Sequence, residues 1–299
     1  MQISVSYNSQ RSRFEGFVNG RMVARSAHKD YVENKIRAMG YVIENATAEQ
    51  KKQNEFSITQ RFGFVEKMID MIAKKKIVST IITGQGGLGK TYTVIKSLNT
   101  AGLQDISDLA SFEVGSIVNS GKTFRVVKGF STAKGLYRTL FEGNGSTIVF
   151  DDCDSVLKDP VAVNILKSAL DSYSDRYISW NADLRDEDLP RSFKFTGSVV
   201  FISNMELSRV DQAIKTRAMC VDVTMTEEQK IERMETIIMS PEFMPDNSLE
   251  HKVESLEFIK SILNDIQGLS LRSLISVIKI RAEGGKWKDL AQYVLTQGA

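Results

Sequence analysis

Eight consecutive residues carry the clearest chemistry in this chain. Gly84, Gln85, Gly86, Gly87, Leu88, Gly89, Lys90 and Thr91 fit the pattern G-x-x-x-x-G-K-[ST]. Glycines at that spacing let the backbone wrap closely around an anion, so that several N–H groups point at phosphate oxygens. Lys90 is placed to reach the β- and γ-phosphates, and the Thr91 hydroxyl to ligate Mg2+. A second constellation lies at Ile148-Val149-Phe150-Asp151-Asp152, where an apolar run ends in two carboxylates. Asp151 is the residue expected to hold Mg2+ through water, and Asp152 the one to position or deprotonate an attacking water. Together these residues predict binding of ATP with Mg2+ and hydrolysis of its terminal phosphate.

Such residues work only if elements bring them together. The phosphate loop needs a strand before it and a helix after it, and residues 77–83 (IVSTIIT) and a helix from Lys90 meet that need. Strand patterns at 123–127, 146–152, 199–203 and 220–223 alternate with helical patterns near 133–142, 161–173 and 207–217. Alternation with apolar strands predicts an α/β fold, a parallel sheet covered by helices on both faces. A helix over 62–73 precedes it. From Thr226 onward three segments have helical periodicity, which predicts a C-terminal helical domain over 226–299. Residues 45–60 are polar and read as a linker, leaving 61–225 as the nucleotide-binding domain. Residues 1–44 read as a separate βββα unit. Its strands are 3–7, 13–18 and 21–25, with Asn19-Gly20 as a hairpin turn, a helix over 28–39 and Gly40 as its cap. Residues 100–122 carry no pattern that assigns them.

On these motifs, residues 60–285 resemble the AAA+ ATPases, and among them compact members from bacteriophages and mobile elements. Gly84–Thr91 looks like the Walker A motif of that family and FDDCDSVL like its Walker B pattern, with Asp151, Asp152 and Asp154 at the acidic positions. Asp152 departs from the family, which usually has Glu there, one methylene longer. Val199–Asn204 looks like the sensor-1 strand, and the resemblance implies that Asn204 orients the water opposite Asp152. Asp211–Arg217 is similar to the segment with the arginine finger, so Arg217 would stabilise transition-state charge in a neighbouring subunit. Gly268–Arg272 resembles the sensor-2 motif, with Arg272 contacting the phosphates of its own subunit from a helical lid. The implied assembly is a ring of identical subunits, usually a hexamer in this family.

Two segments are candidates for a central pore. Lys128-Gly129-Phe130 falls where unfoldases and translocases of the family carry an aromatic pore residue. Phe130 there either grips substrate or packs against the sheet, and Lys128 is suited to a phosphate backbone. Ile178-Ser179-Trp180 and Phe193-Lys194-Phe195 look like a β-hairpin preceding sensor 1. Its tip, Asp183 to Arg191, mixes acids with bases and does not suit phosphate tracking.

Composition limits the remaining choices. The chain has 299 residues, 39 Lys plus Arg, 37 Asp plus Glu and a net charge of +2, with 42% apolar residues. These values belong to a folded globular protein and exclude global disorder. No apolar run approaches a membrane span, and the opening residues lack the core of a signal peptide. A cytoplasmic location, bacterial or in a phage-infected host, is expected, with no membrane partner. Cys153 and Cys220 read as reduced core residues, and two separated histidines, His28 and His251, do not suggest a zinc site. Through residue 40, however, Arg11, Arg13, Arg21, Arg25, Lys29, Lys35 and Arg37 stand against Glu15, Asp30 and Glu33. This small sheet resembles the β-sheet DNA-binding modules of phage integrases, with Arg11, Arg13, Arg21 and Arg25 as candidates for phosphates or guanine edges. Docking of a protein partner or adaptor is the alternative. Three functions follow: a DNA-associated motor or remodeller, a protein-remodelling unfoldase using Phe130, or an ATP-binding assembly switch with weak hydrolysis at Asp152.

Overall fold

In a computed structural model, residues 3–8, 13–26, 29–39, 56–108, 122–172, 175–181, 189–266 and 268–297 are described. The chain divides into two compact units, Met1–Glu55 and Phe56–Ala299.

The first unit is an antiparallel sheet, β1 (Ile3–Asn8), β2 (Arg13–Val18) and β3 (Arg21–Ser26) in that order, followed by helix α1 (Lys29–Ala38). Asn19 and Gly20 both take left-handed φ, as a two-residue hairpin turn requires. Val32 and Ile36 of the helix bury fully against Val18 and Ala24. The helix can sit this close because β2 has no side chain at Gly16. A Cβ there would lie 2.6 Å from Val32 and 2.7 Å from Ile36. Gly40 lies outside the described residues.

The second unit is mixed α/β. Its chain order is α2 (Ile58–Ala73), β4 (Ser79–Thr83), α3 (Lys90–Thr100), β5 (Gln104–Asp105), β6 (Thr123–Lys128), α4 (Ala133–Glu142), β7 (Thr147–Asp151), α5 (Asp154–Lys158), α6 (Pro160–Ala169), β8 (Arg176–Ser179), β9 (Ser192–Phe195), β10 (Ser198–Ser203), α7 (Gln212–Lys215) and β11 (Met219–Asp222). Four helices follow: α8 (Glu227–Ile238), α9 (Leu249–Ser261), α10 (Leu271–Glu283) and α11 (Trp287–Gln297). Six strands form one parallel sheet in the order β11-β4-β10-β7-β6-β5.

Successive strand residues serve opposite faces of this sheet. Ile81, Ile148, Phe150, Val199 and Phe201 pack under α4, α5 and α6, whereas Ile82, Val149, Val200 and Ile202 pack under α2 and α3. Both faces are covered, which is why these strands read as unbroken apolar runs. The C-terminal helices have their own core around Leu256, Ile259, Leu274, Val277 and Ile278.

Three expected elements differ. The helix expected from Phe62 starts at Ile58, because Ser57 and Gln60 form a capping box. The helix expected near 161–173 is α6, which stops at Ala169 and follows a separate short helix, α5: Asp159 caps α6 at the Val161 N–H, and Arg176 takes the Ala169 carbonyl at its end (2.7 Å). The helix expected near 207–217 is a 3-10 turn (Leu207–Arg209) and then α7, because Val210 is extended and Asp211 caps a new start at Ala213 (2.8 Å). Within 100–122, β5 adds a short edge strand beside β6, and residues 109–121 lie outside the described residues.

Candidate functional site

All five long strands of the sheet point their C-terminal ends the same way, and the chemistry collects there. β4 delivers the loop Gly84–Gly89, β7 delivers Asp151 and Asp152, and β10 delivers Ser203 and Asn204. β10 lies between β4 and β7, so Asn204 stands between the phosphate loop and the two acids. Gly87 and Gly89 take left-handed φ of 71° and 87°. A Cβ on Gly87 would meet Ser270 at 3.0 Å and one on Gly89 would meet Leu271 at 3.2 Å, so only glycine fits beneath the start of α10.

A relay of hydrogen bonds joins the parts. The Lys90 ammonium donates to the Gly84 carbonyl (2.7 Å), the Gln85 carbonyl (2.8 Å) and Asn204 Oδ1 (2.9 Å). Asn204 Nδ2 in turn donates to Asp152 Oδ1 (2.7 Å). Thr91 Oγ1 donates to Asp151 Oδ1 (2.9 Å). Lys90 is buried, and burial lowers its pKa, opposed by the nearby Asp152 and Asp151 carboxylates. Desolvation, and then the charge of Asp151, raise the Asp152 carboxyl above the usual carboxylate range, while Lys90 pulls it back. Asp152 takes a left-handed φ of 56°, a conformation that Asp adopts more readily than longer side chains.

Among the described residues no group of three or more His, Cys, Asp or Glu side chains could hold a metal ion. Mg2+ needs none, since one carboxylate, a hydroxyl, waters and substrate phosphates complete its shell. Thr91 and Asp151, already in contact, are a donor set of that kind.

α10 begins against the loop, where the Leu271 N–H donates to the Gly87 carbonyl (2.9 Å). This brings the N-terminus of a 13-residue helix, and Arg272 on its first turn, to the glycine loop. Glu242, from the segment between α8 and α9, accepts from the Tyr92 hydroxyl (3.2 Å) and pairs with Lys96, both on α3.

Arg217 is elsewhere. Its carbonyl accepts from Ser79 Oγ at the first residue of β4 (2.9 Å), and its guanidinium donates to the Ala213 carbonyl (2.9 Å). A five-residue strand, about 16 Å, separates it from its own phosphate loop. Phe130 does not pack on the sheet; it is 82% exposed. Lys128, two residues earlier, is opposite Asp151 in register, with Nζ 3.9 Å from Asp151 Oδ2. In the first unit Arg21 and Arg25 are exposed and Arg13 half-buried, while Arg11 lies outside the described residues. Glu15 stands opposite Arg25 in register, placing an acid within that basic sheet. β8 and β9 form the expected antiparallel hairpin, but residues 182–188 of its tip lie outside the described residues.

Two contributors carry no motif. Ser203 Oγ donates to Asp154 (2.6 Å) and accepts from the Met205 N–H (3.0 Å), tying β10 to the start of α5. Arg61 is buried on the apolar face of α2 and donates to the Thr224 carbonyl (2.6 Å), the Asp222 carbonyl (3.3 Å) and Gln229 (3.0 Å). It pins the exit of β11 beside Gly84. A charged residue at an otherwise apolar helical position was its one signal in the sequence.

No family model matches the chain. A protein of Enterobacteria phage T4, described as an uncharacterized 36.7 kDa protein in the nrdC-mobD intergenic region, is 28% identical over 253 residues, spanning 78% of this chain and 73% of its own length. Among the described residues no helix is long and apolar enough to cross a membrane.

Proposed function

We propose that this chain is a P-loop ATPase of the AAA+ type that hydrolyses ATP in a self-assembled ring, a DNA-associated motor or remodeller of phage origin. The observation that carries the reading is the relay from the loop carbonyls through Lys90 and Asn204 to Asp152, alongside the Thr91–Asp151 contact. Phosphates enter the cradle of Gly84–Gly89, and Lys90 exchanges its carbonyl partners for phosphate oxygens. Asp152, with Asn204 fixing its carboxylate, orients a water toward the terminal phosphorus and accepts its proton. Thr91 and Asp151 would hold Mg2+, which would supply neutralising charge for the transferred phosphoryl group. Arg272 reports phosphate occupancy to the C-terminal helices, which act as a lid.

Arg217 is a strand length from its own loop, which supports a role in the site of a neighbouring copy, and hence a hexameric ring. Similarity to a phage protein and the basic sheet of the first unit favour DNA as the partner. A second reading has its own observation: the exposure of Phe130 also suits an unfoldase that grips polypeptide.

Steady-state ATP hydrolysis separates these readings, measured alone and with single-stranded DNA, double-stranded DNA or an unfolded protein, with Lys90→Ala as the blank. Stimulation by DNA that weakens as salt rises is expected. It is lost when Arg13, Arg21 and Arg25 are changed to Glu. Stimulation by polypeptide alone selects the unfoldase. No hydrolysis under any condition overturns the motor and leaves the assembly switch.

A further inference from the structure

The segment that displays Phe130 is tied to the acidic strand end at three points. Cys153 Sγ donates to the Val127 carbonyl (3.3 Å), Lys128 faces Asp151 (3.9 Å), and Ser155 Oγ both donates to the Ser131 carbonyl (3.1 Å) and accepts from the Ser131 N–H (3.3 Å). Two of these ties are hydrogen bonds between neutral groups. The third is a charge contact, and it is lopsided: the Asp151 side chain is 9% exposed and that of Lys128 is 68% exposed. Asp151 has two carboxylate oxygens. One accepts from Thr91, and the other faces the Lys128 ammonium.

We propose that Lys128 is an exchangeable counter-ion that couples metal–nucleotide uptake at Asp151 to the binding of single-stranded nucleic acid at Phe130. The proposal rests on the phosphate-site reading above. Lys128 neutralises Asp151 while no divalent cation does, and leaves it when Mg2+ is taken up with nucleotide. The released ammonium is two residues from an exposed aromatic ring. That is the pairing a single strand recognises, with a base stacked on Phe130 and a phosphate on Lys128. A strand phosphate and Asp151 compete for one ammonium, so strand binding and metal uptake reinforce each other, and the coupling is reciprocal. No covalent step is involved.

The test uses the full chain, a fluorescent non-hydrolysable ATP analogue and a fluorescent oligothymidylate. Lys128→Ala should lower the Mg2+ concentration at half-saturation of analogue binding by roughly two- to fivefold, the size of an exposed ion pair, with Lys128→Arg close to wild type. In wild type, Mg2+ with analogue should tighten oligonucleotide binding by the same factor. Lys128→Ala should bring that factor to one, and Phe130→Ala should weaken the oligonucleotide without moving the Mg2+ midpoint. An unchanged Mg2+ midpoint in Lys128→Ala overturns the proposal while leaving the phosphate site standing. An oligonucleotide whose affinity ignores Phe130→Ala also overturns it, as does a loop that takes up only polypeptide. Failure of wild type to bind the analogue with Mg2+ overturns the phosphate-site reading itself, and the proposal with it.

Discussion

On the ATPase reading, Asp152 would concentrate the chemistry of the site in one residue. Its backbone is left-handed, its carboxylate is held by Asn204, and desolvation with the adjacent Asp151 keeps its pKa above the ordinary carboxylate range. A base must be ionised to accept a proton. Turnover is therefore expected to rise with pH along an acid limb as the carboxyl loses its proton. Asp152→Asn should lose that limb and about a hundredfold or more in turnover, while the affinity for the ATP analogue is kept. Equal turnover in wild type and Asp152→Asn, read from steady-state phosphate release across pH, would remove Asp152 from the chemistry. The left-handed backbone suits Asp, which enters that region more readily than longer side chains. Asp152 was visible as a carboxylate at a strand end. Its backbone conformation was not, because that depends on the Asp152 N–H donating to the Ile202 carbonyl of the next strand (3.0 Å).

At the scale of elements, the site depends on where β10 and α10 lie rather than on the loop alone. β10 separates the phosphate strand from the acidic strand, and α10 closes over Gly87 and Gly89. Arg61 holds the neighbouring connection from β11 to α8 with three acceptors, two of them backbone carbonyls. Arg61→Met keeps much of the apolar volume and takes the guanidinium donors away from the Thr224 and Asp222 carbonyls, while Gln229 keeps its bond from the Thr226 N–H (3.1 Å). It should cost about 1–3 kcal/mol of stability, seen as a lower midpoint in urea with an unchanged slope. An unchanged midpoint would show that water replaces the guanidinium without loss. The elements themselves were largely legible. The strands at 13–18 and 123–128 and the helix at 133–142 follow from apolar periodicity and turn residues within a few positions. The helix expected near 207–217 failed because its break depends on the Asp211 cap, a local hydrogen bond that periodicity does not register.

Over the whole molecule, the decisive placement is that of Arg217. It lies at the N-terminal edge of the sheet, while every other site residue of the second unit lies at or near the C-terminal edge. On the ring reading, Lys90→Ala keeps a finger without a working cradle, and Arg217→Ala keeps a cradle without a finger. Each alone should be nearly inactive. Their equimolar mixture should recover turnover at interfaces where an intact finger meets an intact cradle. A mixture no more active than its components, measured after subunit exchange, would refute action in trans.

The sequence alone determined the local chemistry of this protein. Gly84–Thr91, the paired acids at 151–152 and the alternation of apolar strands with helices are written in residue type and spacing, because backbone freedom, the chemical type of a side chain and hydrophobic period are properties of short segments. Tertiary structure decided which of these segments meet. It inserted β10 between β4 and β7 so that Asn204 bridges Lys90 and Asp152, set Lys128 against Asp151, buried Arg61 against the exit of β11, and left Phe130 in solvent. Strand order and cross-strand register are choices made by long-range packing, and no window of sequence contains both partners of such a contact.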